Sequence, residues 1–183
     1  IQHKWDQDIT NDDQWPYKVK FGKTDLLGNF EIDETADPKD AIITFDVNCD
    51  ASNGGYPLGT IDLSSNKNLA QAFVMNPSAI SSLIQGVNAK PSEGKIVWGL
   101  EQTDGSYAYN STANNGFWCT ADGDLTNWGA DAFTYVEFDG LTITYGHYPG
   151  HSVAGETYTL KPTLIYTKDG KEYKATIQIN MAF

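Results

Sequence analysis

Residues 133–145 read F-T-Y-V-E-F-D-G-L-T-I-T-Y, and this stretch decides the fold. Phe133, Tyr135, Val136 and Phe138 form an apolar run that is typical of a β-strand, and residues 141–145 form a second one. Asp139-Gly140 between the two runs is one of the dipeptides that favour a tight hairpin turn. The sequence therefore predicts an antiparallel β-hairpin at this point of the chain.

The last residues of the chain show the most regular strand pattern. Apolar side chains alternate with polar ones through Ala175, Ile177, Ile179, Met181 and Phe183. Because the alternation continues to the final residue, we expect the C-terminus to be paired within a sheet. Asp169-Gly170 predicts a second tight turn just before this strand.

Residues 158–166 also alternate, through Tyr158, Leu160, Leu164 and Tyr166. Pro162 interrupts this pattern and cannot donate a backbone hydrogen bond, which predicts an edge strand or a bulge. Further strand patterns lie at residues 17–21, 27–32, 42–47 and 96–100.

Two short helices are predicted between these strands. Asn68 is expected to cap a helix that carries Leu69, Ala70, Ala72 and Phe73. Asn76 followed by Pro77 predicts the start of a second helix, with Ile80, Leu83 and Ile84 on one face and Gly86 at its end.

Short strands joined by tight turns favour a mainly-β fold, and we predict an antiparallel β-sandwich, jelly-roll-like, with one or two short helices. A β-barrel is the alternative. Residues 1–15 show no sustained period and are interpreted as an N-terminal arm, so that residues 16–183 form a single sandwich domain.

Composition excludes several classes of protein. The net charge is −12, and all twelve basic residues are lysines. The absence of arginine argues against nucleic-acid or phosphate recognition, in which the bidentate guanidinium group is favoured. No run approaches the ~20 apolar residues of a membrane span, so no transmembrane segment is expected. The two cysteines, Cys49 and Cys119, are interpreted as unpaired thiols or as one structural disulfide.

Aromatic side chains are concentrated in the middle of the chain. A sugar ring offers an apolar C–H face and a rim of hydroxyl groups, so an exposed aromatic side chain with polar neighbours suits it. The alternative for Trp118 and Trp128 is that both are core residues beside a turn. The predicted carbohydrate-binding residues are Trp98, Tyr107, Tyr109, Trp118, Asp122, Asn127, Trp128 and Tyr148.

Metal and catalytic patterns are weak. Pro149-Gly150 lies between His147 and His151, so the pair is not on a helix and is expected in a solvent-exposed turn rather than at a metal. Asp122-Gly123-Asp124 is interpreted as a turn, because the rest of a calcium loop is missing.

Glu101, Glu137 and Glu156 are the residue types that a glycoside hydrolase would use, and such a site needs two carboxyl groups within ~10 Å. Nothing in the sequence brings two of them together, and no nucleophile or dinucleotide motif is present. We therefore expect no enzymatic activity, no catalytic residues, no metal and no cofactor.

A family resemblance rests on residues 114–158. The motifs are Trp118, Asp122-Gly123, Trp128-Gly129, Ala132, the Tyr135-Val136-Glu137-Phe138 run, Gly146, Tyr148-Pro149-Gly150, Ala154-Gly155 and Tyr158. This stretch resembles a secreted Bacteroidetes domain of unknown function, number forty-eight fifty-nine, with looser similarity over residues 61–183. The resemblance implies an exported protein at the cell surface or in the periplasm, in a setting of glycan utilisation, with an upstream lipid anchor as one option.

These observations together predict a non-catalytic, exported accessory module that binds a polysaccharide or an oligosaccharide. The alternatives are a structural or protein-interaction module without glycan affinity and, third, a glycoside hydrolase.

Overall fold

The computed structural model of the protein describes residues 32–183. The predicted N-terminal arm at residues 1–15, its boundary with the domain, the strand at residues 17–21 and nearly all of the strand at residues 27–32 lie outside the described residues.

The described residues form two short helices and eleven strands, several of which are only two to four residues long. The strands are β1 (Ala41–Asn48), β2 (Pro57–Asp62), β3 (Ile96–Glu101), β4 (Tyr107–Ala108), β5 (Gly116–Cys119), β6 (Leu125–Thr126), β7 (Thr134–Asp139), β8 (Thr142–His147), β9 (Thr157–Leu160), β10 (Pro162–Lys168) and β11 (Lys171–Ala182). The helices are α1 (Lys67–Phe73) and α2 (Pro77–Leu83).

The strands are arranged in two sheets. The first sheet has the order β1-β11-β10-β3-β4, with β9 also paired to β11, and the second has the order β2-β8-β7-β5-β6. The predicted mainly-β sandwich with two short helices is confirmed. Over residues 32–183 both sheets remain open, so the barrel alternative is not the fold.

One strand pair departs from the antiparallel prediction. β1 pairs with β11 in parallel, from Ala41 opposite Ala175 to Asn48 opposite Ala182. Parallel neighbours need a long connection, and here almost the whole domain connects the two strands. No local sequence pattern reports the relative direction of strands so far apart in the chain.

The core lies between the two sheets. Trp98 on β3 stacks on Phe138 on β7, with ring centroids 4.2 Å apart and planes inclined by 12°. The helices add their apolar side chains to this core, and Phe73 of α1 contacts the ring of Tyr166 near the end of β10. Both helices therefore pack on the same core as the two sheets. The largest fully buried residues include Phe73, Phe117, Leu63, Leu69, Ile80, Ile96, Leu100, Ile143, Leu160, Leu164 and Ile165.

Both predicted hairpins are confirmed. In β7–β8 the pair Asp139–Thr142 closes the turn, so the two loop residues are Gly140 and Leu141 rather than Asp139 and Gly140. In β10–β11 the loop is Asp169-Gly170, with φ of +54° and +76°. Positive φ at both loop positions matches the right-handed twist of the flanking strands.

The helix predictions are correct in position, although their ends shift. The cap of α1 is Asn66 rather than Asn68, and its side-chain oxygen accepts a hydrogen bond from the backbone N–H of Leu69 at 2.9 Å. Pro77 begins α2 as predicted, but the helix ends at Leu83, before Gly86.

Pro162 does not mark an edge strand, so that part of the prediction is wrong. The apolar pattern of residues 158–166 divides at Lys161 into two strands, and Pro162 begins β10, which lies between β11 and β3. Proline is tolerated as the first residue of a strand. β10 pairs with the start of β11 and β9 with its end, where Ala182 lies opposite Thr157. The predicted pairing of the C-terminal residues is confirmed.

Both cysteines are free thiols in the core region, Cys119 buried and Cys49 half-buried. Burial raises the pKa of the Cys49 thiol to about 11. Burial, with a smaller contribution from the charge of Asp124, raises the pKa of the Cys119 thiol well above its usual range. Because the thiolate is the reactive form, neither residue is suited to nucleophilic chemistry at neutral pH.

We predict that an aromatic disulfide reagent at pH 8 will modify fewer than one thiol per folded chain, and slowly. In urea it should modify both cysteines, because unfolding exposes them and returns their pKa to the ordinary value. The released chromophore, read by absorbance, measures both stages. Rapid modification of the folded chain would contradict the burial, and no modification in urea would show a disulfide.

Candidate functional site

The side chains that point away from the core on the second sheet form an aromatic row. Trp118 on β5 lies opposite Tyr135 on β7, and Tyr135 lies opposite Gly146 on β8. Phe117 and Val136, their chain neighbours, belong to the core, so strand alternation places Trp118 and Tyr135 on the outer face. The rings of Trp118 and Tyr135 are 4.6 Å apart between centroids.

Rings from the adjoining loops extend this row. Tyr56, just before β2, contacts Trp118 at 6.0 Å and Tyr148 at 5.7 Å. Trp128, after β6, stacks on Tyr148 with centroids 5.6 Å apart and planes inclined by 27°. We call this group the aromatic patch; its members are Tyr56, Trp118, Trp128, Tyr135, Tyr148 and His151.

Exposure divides the patch into a support and a surface. Trp118 and Tyr135 are only 6% and 4% exposed, whereas Trp128 is 60% exposed and Tyr56 37% exposed. The buried rings pack directly on the sheet, and the exposed rings lie at the solvent boundary. A ligand would therefore meet Trp128, Tyr56 and the half-buried Tyr148 first.

His151 fixes the position of Tyr148. Its ring stacks on Tyr148 at 3.9 Å with planes inclined by 7°. The N–H at Nδ1 of His151 donates to the carbonyl oxygen of Ala132 at 2.7 Å, which assigns the tautomer and fixes the ring. The backbone N–H of Tyr148 donates to Phe133 at 3.0 Å. Tyr148 is thus stacked between His151 and Trp128, so the exposed indole rests on a preorganised support.

The absence of a side chain at Gly146 makes room for the patch. A methyl group there would overlap the Tyr135 ring and the carbonyl oxygen of Tyr56. Any larger residue at this position would displace the ring that supports Trp118. The sequence therefore uses glycine in a strand for the close approach of an aromatic ring.

Polar side chains occupy the next outward row along the same strands. Glu137 lies opposite Thr144, and Thr144 lies opposite Thr60. Residues two apart in a strand are separated by ~6.5 Å, so hydroxyl and carboxylate groups adjoin the row of Trp118 and Tyr135, on the side away from Tyr148. Oε1 of Glu137 also accepts a hydrogen bond from the backbone N–H of Asn114 at 3.2 Å. The surface pairs flat apolar rings with hydrogen-bonding groups.

The structure brings only part of the predicted binding residues together. Trp118, Trp128 and Tyr148 meet in the aromatic patch, and Asn127 is exposed beside Trp128. The core alternative for the two tryptophans applies to Trp118, which is buried, whereas Trp128 is exposed.

The prediction for Trp98 is corrected. Its side chain is fully buried between the sheets, and Nε1–H donates to the carbonyl oxygen of Gly140 at 3.0 Å. The inward alternation of β3 places it in the core, so it cannot contact a ligand.

Tyr107 and Tyr109 lie on the first sheet, apart from the aromatic patch. Both are half-buried, with the ring of Tyr109 packed over Gly99. Burial and then the charge of Glu101 raise the pKa of Tyr107 to about 12. Nζ of Lys174 lies 5.4 Å from the centroid of the Tyr107 ring. These contacts make both rings part of the packing on the first sheet, not of the exposed surface around Trp128.

Asp122 lies in a separate pocket of about 210 Å³, which we call the polar pocket. It forms where the end of β3, the β5–β6 turn and the β9–β10 junction meet. Its lining residues are Glu101, Gln102, Thr103, Asp122, Gly123, Thr159 and Lys161. Of the three glutamates considered for hydrolysis, only Glu101 belongs to it; Glu137 is on the outer face of the second sheet, and Glu156 is exposed before β9.

Asp122-Gly123-Asp124 forms the β5–β6 turn, as predicted. Gly123 N–H donates to the carbonyl oxygen of Thr120 at 3.0 Å. The carboxylate of Asp124 accepts two hydrogen bonds from Thr103, one from the backbone N–H at 2.7 Å and one from the hydroxyl at 2.8 Å. Asp124 therefore joins the β3–β4 and β5–β6 connections.

The prediction that both histidines lie in a solvent-exposed turn is wrong for His147. Its ring is fully buried at the end of β8, where Nε2–H donates to the carbonyl oxygen of Gly55 at 2.9 Å and Nδ1 pairs with the hydroxyl of Ser152 at 2.6 Å. Both ring nitrogens are satisfied, so His147 has a structural role. Residues 32–183 contain no group of three or more histidine, cysteine, aspartate or glutamate side chains placed to hold a metal ion.

Sequence reasoning missed Tyr56, Tyr135 and His151 as members of the aromatic patch. The signal for Tyr135 was present, because alternation in β7 places its side chain on the other face of the strand from Val136 and Phe138. Tyr56 and His151 lie in loops, where no periodicity indicates direction, and only the folded chain brings them to Tyr148.

Fold and surface together define a two-sheet β domain with an aromatic patch on the outer face of one sheet. The chain belongs to the family described as Domain of unknown function (DUF4859), whose family model matches residues 55–172. The matched residues include the whole aromatic patch, the polar pocket and both helices. No match was found among the curated proteins or among the solved structures.

Among residues 32–183, no helix combines the length and the apolar character required to cross a membrane.

Proposed function

We propose that this protein is a non-catalytic, exported module that binds a polysaccharide or an oligosaccharide through the aromatic patch. One observation carries the proposal: the indole of Trp128 is 60% exposed and yet held in place by stacking on Tyr148. A fixed, exposed ring offers a flat apolar surface without the entropic cost of ordering it on binding.

Exposure of Trp128 is unusual for its residue type. Tryptophan is highly buried on average, and a single large ring at the surface gains nothing for folding. The same ring beside hydroxyl and carboxylate groups suits a sugar, because the C–H face covers the indole while the hydroxyl groups meet polar partners. Asn127, exposed next to Trp128, provides such a partner, and the Glu137–Thr144–Thr60 row extends the polar surface on the far side of Trp118 and Tyr135.

The exported location, at the cell surface or in the periplasm, is supported by the resemblance of residues 114–158 to a secreted domain.

The net charge of −12 argues against binding of anionic polymers, because like charges repel. The expected partner is therefore a neutral glycan.

The test is binding of the full chain to a panel of neutral polysaccharides by affinity gel electrophoresis, followed by calorimetry with any polymer that retards it. Trp128→Ala should weaken binding about tenfold or more, because stacking and buried ring area are lost together. Calorimetry is preferred to fluorescence here, since removing Trp128 also removes the reporter.

Ile42→Ala is the matched control. Ile42 is 72% exposed on β1 of the first sheet, so its removal deletes exposed apolar area away from the aromatic patch and should leave binding unchanged. Equal affinity of Trp128→Ala and the unsubstituted chain would refute the patch as the site. If no polysaccharide in the panel binds, a structural or protein-interaction module becomes the better explanation.

A further inference from the structure

The polar pocket contains three charged side chains without partners. Within residues 32–183, the carboxylates of Glu101 and Asp122 and the ammonium of Lys161 make no ion pair and no side-chain hydrogen bond, although they line one pocket of about 210 Å³. Glu101 and Lys161 are half-buried and Asp122 is exposed, so the pocket that these residues line is partly open to solvent. The pocket therefore offers two strong acceptors and one strong donor.

The walls of the pocket are rigid because the remaining polar groups are already paired. Oε1 of Gln102 accepts from the backbone N–H of Leu125 at 3.0 Å, and its Nε2 donates to Leu100 at 3.1 Å. Thr103 is held by the carboxylate of Asp124, and the hydroxyl of Thr159 donates to Asn180 at 2.9 Å. The Gln102–Leu125 and Thr103–Asp124 bonds connect the two sheets beside the pocket, so its shape exists before a ligand arrives.

The charges select among ligand classes. An anion such as phosphate would meet two carboxylates against one ammonium, and an amine would pair with the carboxylates but face Lys161. An apolar ligand would desolvate three charged groups without satisfying them. A neutral polyol donates hydroxyl hydrogens to Glu101 and Asp122 and accepts from Lys161, and hydrogen bonds to ionised groups are the stronger kind.

We infer that the polar pocket is a second binding site, for a single sugar-sized neutral polyol. Its volume is below the ~300–1,000 Å³ of pockets that hold drug-sized ligands, so it takes one ring rather than an oligosaccharide. The site is separate from the aromatic patch: its recognition is by charge-assisted hydrogen bonds, with no aromatic ring in the lining. The inference does not depend on glycan binding at Trp128.

The experiment is a titration of the full-length ¹⁵N-labelled chain with D-glucose, D-galactose, D-mannose and N-acetylglucosamine, followed by amide chemical shifts. At least one sugar should shift the amides of Thr103, Gly123 and Lys161 in a saturable manner. Asp122→Asn, Glu101→Gln and Lys161→Met should each weaken this binding about tenfold, as the loss of one hydrogen bond to a charged group predicts.

Two controls separate this site from other effects. Asp139→Asn makes the same change of charge at the exposed end of β7, which is not part of the pocket lining, and should leave the affinity unchanged. Trp128→Ala should also leave it unchanged, so failure of the aromatic patch and failure of the polar pocket give different results. Dispersed amide spectra verify that each variant is folded.

Several outcomes would overturn the inference. These are the absence of saturable shifts at the three amides with every sugar, or equal affinity in all three pocket variants. Stronger shifts of the same amides with inorganic phosphate or with putrescine would assign the pocket to a charged ligand. Release of reducing ends from an oligosaccharide that Glu101→Gln abolishes would make it a hydrolytic site instead.

Discussion

Replacing Trp98 by alanine is expected to lower the free energy of unfolding by about 3–5 kcal/mol, the range for deleting a large aromatic side chain from a packed core. Trp98 is fully buried and stacks on Phe138, so its ring joins the first sheet to the second. Its deletion leaves a cavity at the centre of the sandwich and also leaves the carbonyl oxygen of Gly140 without its indole donor. The cavity and the lost hydrogen bond both raise the free energy of the folded state and so lower the free energy of unfolding.

Trp128→Ala is the matched control, because it makes the same chemical change at a ring that is 60% exposed. It should change the free energy of unfolding by less than about 1 kcal/mol, as exposed positions usually do. Urea denaturation followed by circular dichroism gives both values, with a shift of the midpoint at constant slope indicating a pure change in stability. Equal destabilisation by the two substitutions would contradict the assignment of Trp98 to the core.

The parts of the fold that sequence reasoning predicted are local. The β7–β8 and β10–β11 hairpins follow from apolar runs and from a two-residue loop containing glycine, and both signals lie within about 15 residues of chain. The short helices follow from an asparagine cap and the residues next to it. The cap of α2 is Asn76, as predicted, whereas the cap of α1 is Asn66, two residues before the predicted Asn68. Neighbouring residues fix these features, so no tertiary contact is needed to predict them.

The parts that were missed depend on contacts between distant residues. The parallel pairing of β1 with β11 joins residues more than 130 positions apart, and the division of residues 158–166 into β9 and β10 depends on which part of β11 each strand meets. Hydrophobic alternation indicates which face of a strand is buried but not which strand lies beside it. Pro162 was therefore assigned to an edge strand or a bulge, although it begins a central strand.

In the candidate site, too, local features could be predicted from the sequence and contacts between distant residues could not. Residue type suggested an aromatic surface, but Trp98, Trp118 and Trp128 have the same chemistry and range from fully buried to 60% exposed. Strand alternation would have placed Trp118 with Tyr135 once the register of β5 and β7 was known. The loops that bring Tyr56 and His151 to Tyr148 carry no periodic signal, so only the folded chain identifies them.

Gly116→Ala is expected to destabilise the protein by about 3 kcal/mol, at the upper end of the usual range for overpacking. A methyl group at Gly116 would overlap the carbonyl oxygen of Val136 and lie 2.7 Å from Cα of Glu137, so it meets backbone rather than a movable side chain. Gly116 cannot shift to relieve this contact, because its carbonyl oxygen accepts hydrogen bonds from Thr112, Ala113 and Ser111. The β5–β7 pairing has to open instead.

Opening that pairing would also move Trp118 relative to Tyr135, so the near-ultraviolet circular dichroism of the folded variant should change together with its urea midpoint. Gly54→Ala is the matched control: no atom lies within 4 Å of the new methyl group, and φ of Gly54 is outside the left-handed region. It should be neutral or slightly stabilising, because alanine restricts the unfolded chain more than glycine does. Similar midpoints for Gly116→Ala and Gly54→Ala would show that β5 does not approach β7 as closely as described, and the support assigned to Trp118 within the aromatic patch would then be wrong.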